Sequence, residues 1–483
     1  MQFGQDSFGG GYTDTMMHPL VAIAVIVATA LVLVLPRKYA AVPFLLVVFL
    51  TPAGQELYIG GAHLYVLRLI IPFGLARGVI ASLFSKSEFL PGGLNFLDKL
   101  FTCWAIFRAM ALILLFHGDR AAMTNQVAFL WDVLGAYFLL RFLIRDEEDI
   151  ARVAKTFAVV VGILAITMLN EKVRDQNVFG YLGGPPIVDQ IREGKIRAQG
   201  TFEHPILAGT FAATLLPLFL WLWQSHKSRN GAVVGAIGST IMVITSASST
   251  PLLGYLAVVI GVCFWPIRRN MRALRWGLVM ALIALHLLMK APVWFLIAHV
   301  DLVAGNSGYH RAALVDSFIR HFSDWWLIGT NQAVTWGYEM DDLANQFVAE
   351  GETGGLAGLI CFILLISRSF GRIGDARKIV DGDPKQEWFI WLLGVAMFAH
   401  CVAFFGISYF DQTKVSWIAL LVMIPVVTVP VLARETVPLA GTAGPLVRVR
   451  GPQVDSGAAP VAEQKERAAK SLQKANSKSL GFL

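Results

Sequence analysis

Two polar stretches, roughly residues 171–204 and 291–353, hold the side chains with most capacity for chemistry in this 483-residue chain. The first closes on Arg197-Ala-Gln-Gly200-Thr-Phe-Glu-His204-Pro205. The second holds His310-Arg311 and ends Asp341-Asp342-Leu-Ala-Asn345-Gln. A guanidinium is a planar fork that grips phosphate oxygens in pairs. A carboxylate close by, with the Asn345 amide three residues beyond Asp342, could accept a proton from a hydroxyl group. Cations and a carboxylate together suit a lipid-linked anion as substrate, with Arg197, Arg311 and Asp342 as the reacting groups.

The flanking residues say how such groups would be positioned. Pro205 suits the first turn of a helix, where its missing N–H costs nothing. Thr201, Glu203 and His204 then lie at the mouth of that helix, where free backbone N–H groups favour an anion. Gly200 allows a sharp turn or a close approach to a ligand. The competing reading is an ordinary helix start, with Arg197 neutralising lipid headgroups. In the second stretch, Tyr309 to Arg320 has apolar residues at helical spacing, which predicts a surface amphipathic helix with His310 and Arg311 in its first turn. Trp325, Trp326, Trp336 and Tyr338 could stack on sugar rings, but an interfacial aromatic belt is the more ordinary role. Asp342 and Asn345 share a face if a helix has begun there, and an acidic residue could equally cap it.

These stretches interrupt a chain built for lipid. It is 56% hydrophobic and only 15% charged, against about 25% in soluble domains. Apolar segments fall near 19–35, 39–51, 64–84, 97–116, 125–143, 156–170, 205–224, 231–249, 251–266, 276–290, 354–367, 388–405 and 415–433. Many approach the roughly 20 residues that cross a bilayer. The expected architecture is an all-α polytopic bundle of about 12–13 spans over residues 1–433. A Pro-, Gly- and Ala-rich stretch, 434–483, has too few large apolar residues to bury a core and reads as a disordered tail. The short connections on one side hold most of the Lys and Arg, which by the positive-inside rule places both long loops on the outer face. That asymmetry also explains the net charge of +7 without nucleic acid. Within spans, Arg68, Arg77, Arg108 and Asp132 are costly and should face protein or water. Arg108 with Asp132 is the expected pair, and Arg68, near the outer end of its span, could add to a phosphate site. The four cysteines lie in apolar segments without metal-ligand spacing. No P-loop, dinucleotide fingerprint or metal signature is present, so no cofactor is expected.

The ordered set of features, Arg-x-x-Gly-Thr-Phe-x-His-Pro opening a span and then a large loop with an arginine and a polar motif before a glycine-rich span, resembles the O-antigen ligase and polymerase family. The similarity covers roughly residues 150–430. It implies a GT-C-like bundle with short helices in the large extracytoplasmic loop. It also implies a metal-independent glycosyltransferase of the bacterial inner membrane, active on the periplasmic face. Such enzymes pass glycan from undecaprenyl pyrophosphate to an acceptor glycan or lipid in the assembly of O-antigen, exopolysaccharide or lipopolysaccharide. The resemblance carries the pyrophosphate-holding role to Arg197 and Arg311. The ligase branch has a histidine before the exit helix of the long loop; this chain reads Asp342-Leu-Ala-Asn345 there, which points toward a polymerase or another ligase-like transferase.

Three other readings compete. A flippase for the same lipid-linked glycans would distribute charge through a central cavity. A protein O-glycan ligase would use the same donor chemistry. A non-catalytic member of a polysaccharide assembly complex would tolerate loss of the loop arginines.

Overall fold

The computed structural model describes residues 16–59, 62–84, 88–188, 190–192, 194–299, 307–340 and 344–436. The tail expected beyond 436, the first fifteen residues, and Asp341 and Asp342 lie outside them.

Each apolar segment forms a helix. In chain order these are α1 (Pro19–Val34), α2 (Arg37–Leu50), α3 (Val66–Phe84), α4 (Phe96–Leu115), α5 (Arg120–Leu143), α6 (Glu147–Arg174), α7 (Pro205–Gln224), α8 (Arg229–Thr245), α9 (Ser249–Cys263) and α10 (Met271–Leu288). In the second long loop α11 (Ser307–Arg320) and α12 (Phe322–Trp325) follow, and then come α13 (Gln346–Ile379), α14 (Pro384–Phe404) and α15 (Thr413–Thr436). Among the described residues, eight helices are long and apolar enough to cross a membrane. The chain is a multi-pass, membrane-embedded helical protein. Two antiparallel hairpins interrupt the helices, β1–β2 (Glu56–Ile59 with Ala62–Tyr65) and β3–β4 (Gln190–Arg192 with Lys195–Arg197).

Helix ends follow local chemistry. Asn95 and Asp98 form a reciprocal capping box at α4, and Asp119, Asp146 and Asp383 cap α5, α6 and α14. At the basic end of the bundle, buried carboxylates neutralise the arginines: Asp149 takes Arg37 at 2.7 Å, and Glu387 takes Arg268 at 2.8 Å and Arg377 at 3.2 Å.

The intramembrane pairing differs from the sequence expectation. Asp132 is held by both Nε and Nη2 of Arg68, each at 2.9 Å, and not by Arg108. Arg108 instead lies 3.8 Å from Glu350 and donates to the Thr353 hydroxyl at 2.8 Å. A planar fork facing a carboxylate gives Arg68–Asp132 the bidentate geometry. α3 and α4 both pack on α5, and α4 also packs on α13, which brings Arg108 to Glu350 and Thr353.

The second long loop folds on itself. Trp325 stacks on Phe318 with ring centroids 3.9 Å apart, and Leu314, Trp336, Met340 and Val348 complete a small separate core. Trp325 and Trp336 are therefore core residues, which removes them from both the aromatic-belt and sugar-stacking roles. Trp326 and Tyr338 stay exposed. The loop docks where α13 breaks at Gly355, whose φ of +61° and ψ of −168° lie in a region open almost only to glycine. There the Leu356 N–H donates to the Trp326 carbonyl and the Thr330 N–H to the Glu352 carbonyl, both at 2.8 Å.

Candidate functional site

The Arg197–Pro205 segment folds as its residue types suggest. Pro205 begins α7, and His204 caps it by accepting the Ile206 N–H on Nδ1 at 3.1 Å. Gly200 turns at φ +60°, and a β-carbon there would sit 3.3 Å from Met168. The clasp that holds the segment comes from the end of α6. Buried Glu171 accepts the Gln199 and Gly200 N–H groups at 2.7 and 2.9 Å. Lys172 donates to the Ile196 carbonyl, and the Asn177 amide donates to the Gly200 carbonyl at 2.9 Å. Thr201 then anchors the turn: its hydroxyl donates to the Phe49 carbonyl at 2.8 Å, and its own carbonyl accepts from Ala53 N–H and the Gln412 amide.

This clasp buries Arg197, which is 6% exposed and donates to the Ser248 hydroxyl at 2.8 Å between α8 and α9. Arg311 is also buried, at 7%, as the fifth residue of α11 and so just past its first turn, beside half-buried His310. Both loop arginines are thus built into protein. The described contacts put Arg197 against the α8–α9 junction, and those of α11 run to the start of α13. They do not themselves join the two. Asn345 is the cap of α13, accepting the Phe347 and Val348 N–H groups at 2.9 and 3.3 Å. Helix begins after it, and the expected shared face with Asp342 falls outside the described residues.

A feature the sequence reading missed lies at the loop end, between the β1–β2 hairpin and the starts of α3, α7 and α15. It is a cavity of about 470 Å³, lined among others by Tyr65, Arg68, Asp132, Glu203, Asp411 and Lys414. Lys414 stands 3.6 Å from Asp132, so that carboxylate is shared by two cations. Asp411 is buried and bridges two helix starts, accepting the Thr413 N–H at 2.8 Å and the Glu203 N–H at 3.3 Å. Glu203 opens onto the cavity, and its carboxylate has no hydrogen-bond partner among the described residues. Loss of water, then the charge of Asp411, raises the Glu203 pKa from its ordinary value, with Lys414 opposing. Burial also raises that of Asp411, against its hydrogen bonds.

Phe410 and Lys414 also line a second cavity of about 220 Å³ among α4, α5, α13 and α15. Its walls are aromatic, including Trp104, Phe129 and Trp417, and its polar groups include Arg108 and Glu350. Glu350 accepts from Trp104 Nε1 at 2.8 Å and from the Gln346 amide at 2.7 Å.

Arg68 is committed where the sequence reading left it available. Besides Asp132 it donates to the His63 carbonyl at 2.5 Å, so each of its three nitrogens donates to protein. Its role here is to fix Asp132 and the hairpin. No family model matches the chain, and no curated protein matches it significantly.

Proposed function

We propose that this chain is a metal-independent membrane glycosyltransferase that polymerises or ligates glycan carried on a polyprenyl pyrophosphate, acting at the face of the membrane where the two long loops lie. The observation that carries this reading is the burial of one arginine from each long loop, Arg197 and Arg311. Cations meant only to meet headgroups would extend into water. Guanidinium groups held in place before reaction suit a charge that appears during it, because they need no reorganisation as that charge grows. Here that charge is the pyrophosphate leaving the anomeric carbon. The sequence resemblance to the O-antigen ligase and polymerase family supports the same assignment, with the bacterial inner membrane and its periplasmic face as the setting.

In this reading Arg197 and Arg311 hold the diphosphate, and Gly200, His204 and His310 shape its surroundings. The sequence suggests Asp342, which lies outside the described residues, as base for the acceptor hydroxyl, and Glu203 competes for that role. The test is incubation of the purified full-length protein with a lipid-linked oligosaccharide, followed by analysis of chain length. Longer chains, or glycan moved to a second acceptor, support transfer. Donor relocated across the bilayer without chemical change refutes it in favour of a flippase. Arg197→Ala and Arg311→Ala should each abolish transfer at normal protein abundance.

A further inference from the structure

We infer that the 470 Å³ cavity at the loop end receives the acceptor glycan, as an uncharged sugar terminus, and that Glu203 takes the proton from its attacking hydroxyl. The inference rests on the transferase reading above and gives it an acceptor site.

The argument begins with charge. Two cations, Arg68 and Lys414, face three carboxylates, Asp132, Glu203 and Asp411. Arg68 is filled by Asp132 and the His63 carbonyl, and Lys414 leans on the same Asp132. A pyrophosphate would find no spare guanidinium there and would meet carboxylates at close range. A uronate or phosphate-bearing sugar would suffer likewise. A neutral sugar would find acceptors for its hydroxyls and the ring of Tyr65, which is 43% exposed. The volume falls within the range of about 300–1,000 Å³ usual for ligand pockets.

Glu203 is distinguished from the other carboxylates by what holds them. Asp132 is tied by Arg68, and Asp411 spends its oxygens on two backbone N–H groups. Glu203 keeps its carboxylate open to the cavity, two residues before α7 and three after the Gly200 turn that follows Arg197. The loop that fixes the proposed phosphate-holding arginine thus also carries the base. In the step, the acceptor oxygen bonds to the anomeric carbon as the carbon–oxygen bond to phosphate breaks. The electron pair leaves with the pyrophosphate, and the hydroxyl proton passes to Glu203. Asp411 is a positioning residue, since it holds the Glu203 backbone.

The experiment has a binding arm and a kinetic arm, both on full-length protein in lipid nanodiscs. A neutral hexose trisaccharide should bind at least about tenfold more tightly than the same trisaccharide ending in a uronic acid. Gln412→Ala should weaken the neutral ligand, while equal affinity for the two sugars would overturn the site. In the kinetic arm, Glu203→Gln should lower kcat about 100-fold or more, with acceptor KM within about threefold. Glu203→Asp should recover part of the rate, and all variants should melt near wild type.

The groups lining the cavity with Glu203 are Arg68 from α3, Asp132 from α5, Lys414 from α15, Tyr65 from β2 and Asp411 from the turn before α15. With its pKa raised, Glu203 gains its base form at higher pH than a free glutamate does, so kcat should climb with pH through that raised value. The climb should vanish in Glu203→Gln and move to lower pH in Asp411→Asn, which removes a charge that raises it. Wild-type turnover in Glu203→Gln together with its loss in Asp342→Asn would overturn the assignment of the base. If wild type binds the neutral sugar but transfers nothing, the transferase reading falls and the cavity stands as a glycan site.

Discussion

Glu171 is the side chain on which the Arg197 loop most depends, and Glu171→Gln tests that directly. It is 1% exposed and accepts two backbone N–H groups, from Gln199 at 2.7 Å and Gly200 at 2.9 Å. Glutamine keeps one acceptor oxygen and turns the other position into a donor, which then faces an N–H. One buried N–H loses its acceptor, at about 1–3 kcal/mol, and the remaining bond loses its charge assistance, at about 1 kcal/mol. The local cost is therefore about 2–4 kcal/mol. At about 1.4 kcal/mol per decade, that corresponds to roughly 30- to 700-fold faster exchange of the amides at 199 and 200. Hydrogen exchange by mass spectrometry on peptides spanning 195–204 measures it. A cysteine at Ala198, whose side chain is wholly buried, should become reactive to a maleimide in the Gln background only. A misplacement of about 1 Å at a reacting group costs about 100-fold in rate, so transfer should fall with the loosening. Unchanged exchange and an unreactive cysteine would show that the clasp does not hold this loop.

Two further substitutions test the frame around the site. Gly355→Ala forces a β-carbon to 2.7 Å from the Leu327 carbonyl at a φ of +61°. It should cost at least about 2–4 kcal/mol in thermal unfolding, whereas Gly277→Ala on α10, with open space around it, should be neutral or gain up to about 1 kcal/mol; equal melting of the two would refute the docking of residues 326–330 at the α13 break. Asp132→Ala leaves Arg68 and Lys414 without their shared carboxylate and should cost about 3–5 kcal/mol in detergent unfolding. Removing both partners, as Arg68→Met with Asp132→Leu, should cost less than the single change, and a greater loss would show that the ion pair itself is not what Arg68 serves.

What was legible in the sequence were features carried by neighbouring residues. Apolar runs gave the helices, eight of which among the described residues are long and apolar enough to cross a membrane, where each must satisfy its own backbone in lipid. Pro205 gave the start of α7, and the helical spacing of 309–320 gave α11, although the helix begins two residues earlier, at Ser307, and leaves Arg311 past its first turn. Partnerships across the bundle were not legible. Arg68 and Arg108 both lie in apolar helices that pack on α5, and nothing local tells that Asp132 takes the first while Arg108 turns to Glu350 on α13. Glu203 and Asp411 are 208 residues apart and meet only because the starts of α7 and α15 adjoin. Asp411-Gln-Thr-Lys414 before an apolar run was a visible signal, because an acidic residue two positions before a helix often caps it, but nothing local tied it to the Arg197 loop. Trp325 and Trp336 were misread since a tryptophan in a polar loop looks the same whether it faces lipid, sugar or a small private core.

The most direct test of glycan transfer is release of polyprenyl pyrophosphate from a lipid-linked oligosaccharide by the purified protein, followed alongside elongation of the glycan. Wild type should give both in equal amounts, and Arg197→Ala or Arg311→Ala neither, at unchanged melting temperature. Equal release and elongation by either arginine variant would contradict the account at its centre.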